Sequence, residues 1–104
     1  MEPSLRLEAS TSPTRVTIRV IGEVDAATAA LLSDALRVAM ADDPAEIELD
    51  CTEMTFLDSS GIRALVEASD RARDAASTAI SITNVSPGPQ RILEICGLGD
   101  LLTR

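Results

Sequence analysis

The first half of the chain alternates between apolar and polar residues, then changes to a helical spacing. Leu5, Leu7 and Ala9 alternate with Arg6 and Glu8, which predicts a short strand. Thr11 to Thr14, with Pro13 among them, predicts a turn. Val16, Ile18 and Val20 then alternate with Arg15, Thr17 and Arg19, a strand with one wet face and one dry. Two such runs joined by a turn predict a hairpin. Gly22 is read as closing the second strand, and Asp25 is placed to cap a helix from about Ala26 to Ala41. Leu32, Ala35, Leu36, Ala39 and Met40 form a single apolar stripe on that helix, and Asp42-Asp43-Pro44 ends it.

The second half repeats the alternation of strand and helix. Ile47, Leu49 and Cys51 alternate with Glu46, Glu48 and Asp50, giving a third strand. Met54 to Leu57 is an apolar approach to Asp58-Ser59-Ser60-Gly61, where a second helix opens and runs to about Ala76. Ile62, Leu65, Val66, Ser69 and either Ala72 or Arg73 make its buried stripe, with Glu67, Asp70, Arg71 and Asp74 on the wet side. Ile80 and Ile82 mark a fourth strand. Pro87-Gly88-Pro89 turns the chain into a third helix, Gln90 to Cys96, with Gly97 suited to its C-terminal cap. Leu98, Leu101 and Leu102 return to the core as a final turn or short helix. Strands alternating with helices imply right-handed crossovers and parallel pairing, while the opening hairpin adds an antiparallel strand. The expectation is one α/β domain over residues 1–104, built on a mixed sheet.

Composition narrows the chemistry. The chain carries a net charge of -8, with nine basic residues, all arginine, against 17 acidic ones. Nucleic-acid binding rests on neutralising phosphates with positive charge, so no nucleic-acid partner is expected. Without histidine, a Ser-His triad, a Cys-His dyad or a histidine metal site cannot form. Without lysine, a Walker A loop or a Schiff base is excluded. No metal and no cofactor is therefore expected. Cys51 and Cys96 have no metal-site spacing and are read as two buried, reduced thiols of a cytoplasmic protein, with a disulfide or redox switch as the alternative. No apolar run reaches the length of a membrane span, and the N-terminus lacks a basic region followed by an apolar run, so neither membrane nor secretory signal is expected.

Three segments carry a family resemblance. Gly22-Glu23-Val24-Asp25 before a helix resembles the first signature of STAS domains. Phe56-Leu57-Asp58-Ser59-Ser60-Gly61-Ile62 resembles the second, the D-S-[ST]-G stretch of anti-sigma factor antagonists. Arg91-Ile92-Leu93-Glu94-Ile95-Cys96-Gly97-Leu98 resembles the late helix that ends in a Gly-Leu pair. The segments occur in the family's order, and the likeness spans nearly the whole chain. It implies a STAS-type mixed sheet of about four to five strands, with helices mainly on one side. It implies a protein that is not an enzyme but binds an anti-sigma factor, itself a serine kinase. That kinase phosphorylates the serine after the aspartate, here Ser59, and a phosphatase resets it. Two departures stand out. Gly61-Ile62-Arg63 replaces the family's frequent Gly-Leu-Gly, and Ala75-Ala76-Ser77-Thr78 replaces a glycine-containing turn.

Each candidate residue has a plainer role beside the functional one. Ser59 or Ser60 would serve as an ordinary N-cap. Asp58 would be a turn carboxylate, Asp25 a cap rather than a contact, and Ile62 a core residue. Asp25, Asp58, Ser60, Gly61, Ile62 and Arg63 are the candidate partner contacts. A phosphate on Ser59 would add roughly -1.5 to -2 charges. It would sit at a helix end able to accommodate it. A partner docked there would lose on the order of 2–5 kcal/mol. The competing readings are a STAS scaffold that is never phosphorylated, such as a subunit of a stress-sensing or lipid-transport complex, and a small enzyme or nucleotide-binding domain.

Overall fold

The computed structural model describes residues 4–75 and 77–103. The order is β1 (Leu5–Thr11), β2 (Arg15–Val24), α1 (Ala29–Met40), β3 (Glu46–Leu57), α2 (Ser59–Ala75), β4 (Ala79–Thr83), α3 (Pro87–Ile95), a 3-10 turn (Gly99–Leu101) and β5 (Leu102–Thr103). The expected end of the second helix at Ala76 lies outside the described residues. The strands form one sheet in the order β1-β2-β3-β4-β5. β1 runs antiparallel to β2, and every later pairing is parallel. This is the mixed α/β sheet of four to five strands that was expected, and the final turn expected around residues 98–102 is the 3-10 turn Gly99–Leu101, which leads into the two-residue β5.

One sheet face makes the core. Ile18, Val20, Ile47, Leu49 and Ile82 are almost fully buried there, with Leu32 and Leu36 of α1, Leu65 of α2 and Leu93 of α3. All three helices therefore contribute to the same core. The alternate strand residues face the other way. There Arg15 pairs with Glu46 and Glu48 at 2.9 and 3.2 Å, and Arg19 pairs with Glu8 and Glu53. Exposed pairs of this kind contribute only about 0–1 kcal/mol each. Their main consequence is a sheet face that is predominantly charged.

β3 runs on through residues 54–57, which were expected only as an approach to the second helix, and three further boundaries differ from the expected ones, each for a local reason. β2 does not end at Gly22. Gly22 adopts φ 104°, with bulges on either side of it in the pairing to β3, and the strand continues to Val24. A Cβ at Gly22 would collide with the Ser4 carbonyl, which accepts the Glu23 N–H at 2.7 Å. The close approach as well as the positive φ thus demands glycine. α1 begins at Ala29 rather than Ala26, because Asp25 closes a separate turn over the intervening residues. α3 begins at Pro87, whose missing N–H and fixed φ suit the first helical position. The pair of cysteines also needs correcting. Cys51 is buried, but Cys96 is exposed. α3 stops at Ile95, and Gly97 at φ 84° turns the chain just past Cys96, leaving the thiol outside the core.

Candidate functional site

The ends of β2 and β3 bring the candidate residues together. Val24 and Leu57 are register partners, so Asp25 and Asp58 leave the sheet side by side. The Asp58 N–H also donates to the Val24 carbonyl at 3.1 Å, tying the two strand ends together. Each aspartate then closes the turn that follows it. Asp25 Oδ1 accepts the Ala27 and Thr28 N–H groups at 3.0 and 3.1 Å. The buried Thr28 hydroxyl donates to the Glu23 carbonyl at 2.8 Å and accepts the Asp25 N–H at 3.0 Å. Asp25 is thus absorbed by its turn, but it is not the helix cap expected of it: that position falls to Thr28, because α1 starts later.

Asp58 is the cap of α2. Its Oδ1 accepts the Ser60 N–H at 2.8 Å and the Gly61 N–H at 3.4 Å. Its carbonyl accepts the first helical bond, from the Ile62 N–H at 3.0 Å. A carboxylate in this position satisfies free amides and complements the positive end of the helix dipole. The capping role is filled, so neither serine is needed for it. Ser59 occupies the first helical position and is exposed. Among the described residues its hydroxyl has no hydrogen-bond partner. Ser60 is half-buried, likewise with an unbonded hydroxyl.

Gly61 sets how closely this helix end approaches the sheet. It is buried, and a Cβ there would lie 2.5 Å from Leu57 Cδ1 and 2.6 Å from Val24 Cγ1. Ile62 is 7% exposed and belongs to the core. Neither side offers a partner much surface, so among the candidates the exposed face is left to Ser59 and Arg63, with Ser60 and the two aspartates half-buried beside it. Arg63, one turn after Ser59, is exposed and has no ion-pair or hydrogen-bond partner among the described residues.

Ser59, Ser60, Arg63 and Glu67 form one wall of an open groove of about 270 Å³, and Ala29, Ala30 and Ser33 of α1 form the other. The α1 wall was not foreseen, since the helix that lies beside α2 depends on tertiary packing. Two large apolar side chains were also missed as surface features. Phe56, 46% exposed, stands beside Glu23 at this end of the sheet, and Leu31, 49% exposed, lies in the first turn of α1. Leu31 falls one position off the stripe of Leu32 and Leu36, a signal that could have found it. A larger groove of about 400 Å³, lined by Leu7, Val16, Ile18, Ala35 and Val38, lies between the opening hairpin and α1 and does not include Ser59.

The chemistry available is that of a recognition surface. Among the described residues no group of three or more His, Cys, Asp or Glu side chains is placed to hold a metal ion, and no helix is long and apolar enough to cross a membrane. Ser59 has no neighbouring base other than carboxylates, and a serine hydroxyl needs a base to become a nucleophile at neutral pH.

Comparison with known proteins agrees with this architecture. A family model described as "Mlab, STAS domain" matches residues 7–103. The anti-sigma-B factor antagonist of Listeria monocytogenes is 32% identical over 87 residues, covering 84% of this chain and 75% of that protein. The chain belongs to the STAS-domain family, as an anti-sigma factor antagonist-type member. Among solved structures, an anti-sigma factor antagonist from Mycobacterium paratuberculosis superposes with a TM-score of 0.81 at 22% identity, covering 95% of this chain and 83% of that one. The Bacillus cell-fate determinant SpoIIAA, in its phosphorylated form, superposes at 0.73 with 23% identity, covering 95% and 88%. At these identities the two structures speak for the fold, the mixed five-stranded sheet with three helices.

Proposed function

We propose that this protein is the antagonist in a partner switch. Unphosphorylated, it docks the end of α2 onto an anti-sigma factor that is also a serine kinase, and so frees the sigma factor held there. The kinase then transfers the γ-phosphoryl group of ATP to Ser59. The Ser59 Oγ–P bond forms, the bond from γ-phosphorus to the bridging oxygen of ADP breaks, ADP leaves, and the hydroxyl proton goes to a base on the kinase. The phosphorylated protein no longer docks, and a phosphatase restores it by hydrolysis. Nucleotide, metal and base belong to the kinase, so this chain is substrate and ligand rather than enzyme, acting in the cytoplasm.

The observation that carries this reading is the state of the Ser59 hydroxyl. It is exposed, and unbonded among the described residues, on a helix end whose cap is already supplied by Asp58. A capping serine has its oxygen engaged by backbone amides; this one is left available to an enzyme. The existence of SpoIIAA in unphosphorylated and phosphorylated forms supports the same reading. Asp58 and Arg63 then serve as the neighbouring contacts, with Asp25, Ser60, Gly61 and Ile62 shaping the surface from beneath or beside it.

The test is intact-mass and fragment analysis after incubation with magnesium-ATP and each anti-sigma kinase encoded in the same genome. Parent protein gains one phosphate, mapped to Ser59, and Ser59→Ala gains none. Absence of phosphate with every kinase would overturn the switch in favour of a scaffold that binds constitutively.

A further inference from the structure

Arg63 is placed to answer the charge that Ser59 would acquire. The two residues are four apart on α2, a spacing that puts side chains on one face with Cβ atoms roughly 5–6 Å apart, and both line the same open groove. Arg6, Arg15, Arg19, Arg37 and Arg73 are each paired with a carboxylate. Arg63 has no such partner among the described residues, and it is the one basic residue lining that groove.

The other residues lining the groove offer a phosphate only the Ser33 and Ser60 hydroxyls and no positive charge. The Ser60 and Gly61 amides, which an anion at a helix start would seek, are held by the Asp58 carboxylate. This alters the expectation that the bare helix end accommodates the group. Asp58 itself repels it. The α1 wall brings Ala29, Ala30 and Ser33, which leave room but bring no charge, and Glu67 lies one further turn along α2. Arginine offers several donors in a planar fork suited to phosphate oxygens.

We propose that Arg63 is the intramolecular receiver of the Ser59 phosphate, and that phosphorylation therefore changes two features of the docking surface at once. It adds negative charge at Ser59 and withdraws the Arg63 guanidinium from the groove mouth, where it otherwise stands free for an acidic group of the partner. This rests on Ser59 being the modified residue, and it assigns the regulation of that site to a second side chain. The frequent family pattern has glycine at this point, so the device belongs to chains that carry arginine there.

The experiment separates this inference from the reading beneath it. Phosphoserine is placed at position 59 of the full chain during translation, so no kinase is needed. The phosphate is followed by phosphorus NMR across a pH titration in the parent background and in Arg63→Gln and Arg63→Lys, with circular dichroism to check the fold. An adjacent cation favours the doubly charged phosphate. The parent titration is therefore expected about half a unit below that of Arg63→Gln at low salt, with Arg63→Lys between them and the gap closing at roughly 1 M salt. Superimposable titrations in all three proteins would overturn the receiver role while leaving phosphorylation of Ser59 untouched. Failure of every kinase to modify Ser59 would instead strike the partner switch and leave this geometry standing.

Discussion

At the scale of single residues, the division of labour between Asp58 and Ser59 governs the site. Sequence alone leaves the cap open, because serine and aspartate both cap helices well. The structure gives the cap to Asp58, and two expectations follow for urea unfolding. Asp58→Ala should lose about 1 kcal/mol, the usual cost of a missing cap. Ser59→Ala should lie within about 0.5 kcal/mol of the parent, since its hydroxyl holds nothing in place. A large loss in Ser59→Ala would mean that the hydroxyl is structural. The two thiols make a second contrast. Burial, with a smaller contribution from the Asp50 charge, pushes Cys51 up to about 12. Almost no thiolate is then present near neutral pH, and the thiolate is the reactive form. Iodoacetamide should modify Cys96 alone in the folded protein and both thiols after denaturation, as counted by intact mass. Their spacing could not have revealed the difference. Cys96 falls three residues after the buried Leu93, which reads as core, but the helix has already ended.

At the scale of elements, the contact between α2 and the paired ends of β2 and β3 positions the site. Gly61 permits it. Gly61→Ala gains helix propensity of up to about 1 kcal/mol, but its methyl meets Leu57 and Val24 inside contact distance. Overpacking of that kind costs about 1–3 kcal/mol, so the denaturation midpoint should fall; an unchanged or higher midpoint would show that the helix end is loosely seated. A second joint fixes β3 against the loop after β4. Asp50 Oδ1 accepts from the Thr52 hydroxyl at 2.6 Å, the Thr52 N–H at 3.1 Å and Asn84 Nδ2 at 3.1 Å. The hydrogen bond from the Thr52 side chain, chiefly, and the one from Asn84 hold the Asp50 carboxyl below its ordinary 3.8 against the opposing effect of partial burial. Folding therefore favours the charged form. Its contribution is fully present above the unfolded value and fades as pH falls through the lower, folded one. The stability gap between parent and Asp50→Ala should accordingly be widest near neutral pH and shrink below about pH 4. A gap that widens in acid would contradict the assignment. The main strands and the helix stripes were legible at this scale because alternation and helical spacing are local signals. The continuation of β2 and β3 was not, since bulges around Gly22 break the alternation. β5, two residues long, is too short to carry a pattern of its own.

At the scale of the molecule, one sheet face is spent on the core and the other on arginine–carboxylate pairs. The absence of histidine rules out histidine metal sites, the net charge of -8 argues against a nucleic-acid partner, and the Asp-Ser-Ser-Gly stretch singled out the helix end to which the proposed switch is assigned. The groove was beyond reach from sequence, because its second wall comes from α1 and exists only once the two helices lie together. Phe56 and Leu31 illustrate the same limit: apolar residues near a core pattern read as buried until packing decides otherwise. What remains is a small surface on which the Ser59 hydroxyl and the Arg63 guanidinium have no partner among the described residues, with exposed apolar side chains at the same end of the sheet. A phosphate there should cost a docked partner on the order of 2–5 kcal/mol. Calorimetric titration of the anti-sigma factor with the unmodified protein, and with the same protein carrying phosphoserine at position 59, measures this directly. The account predicts tight binding of the first and at least about 30-fold weaker binding of the second. Equal affinities for the two forms would contradict it.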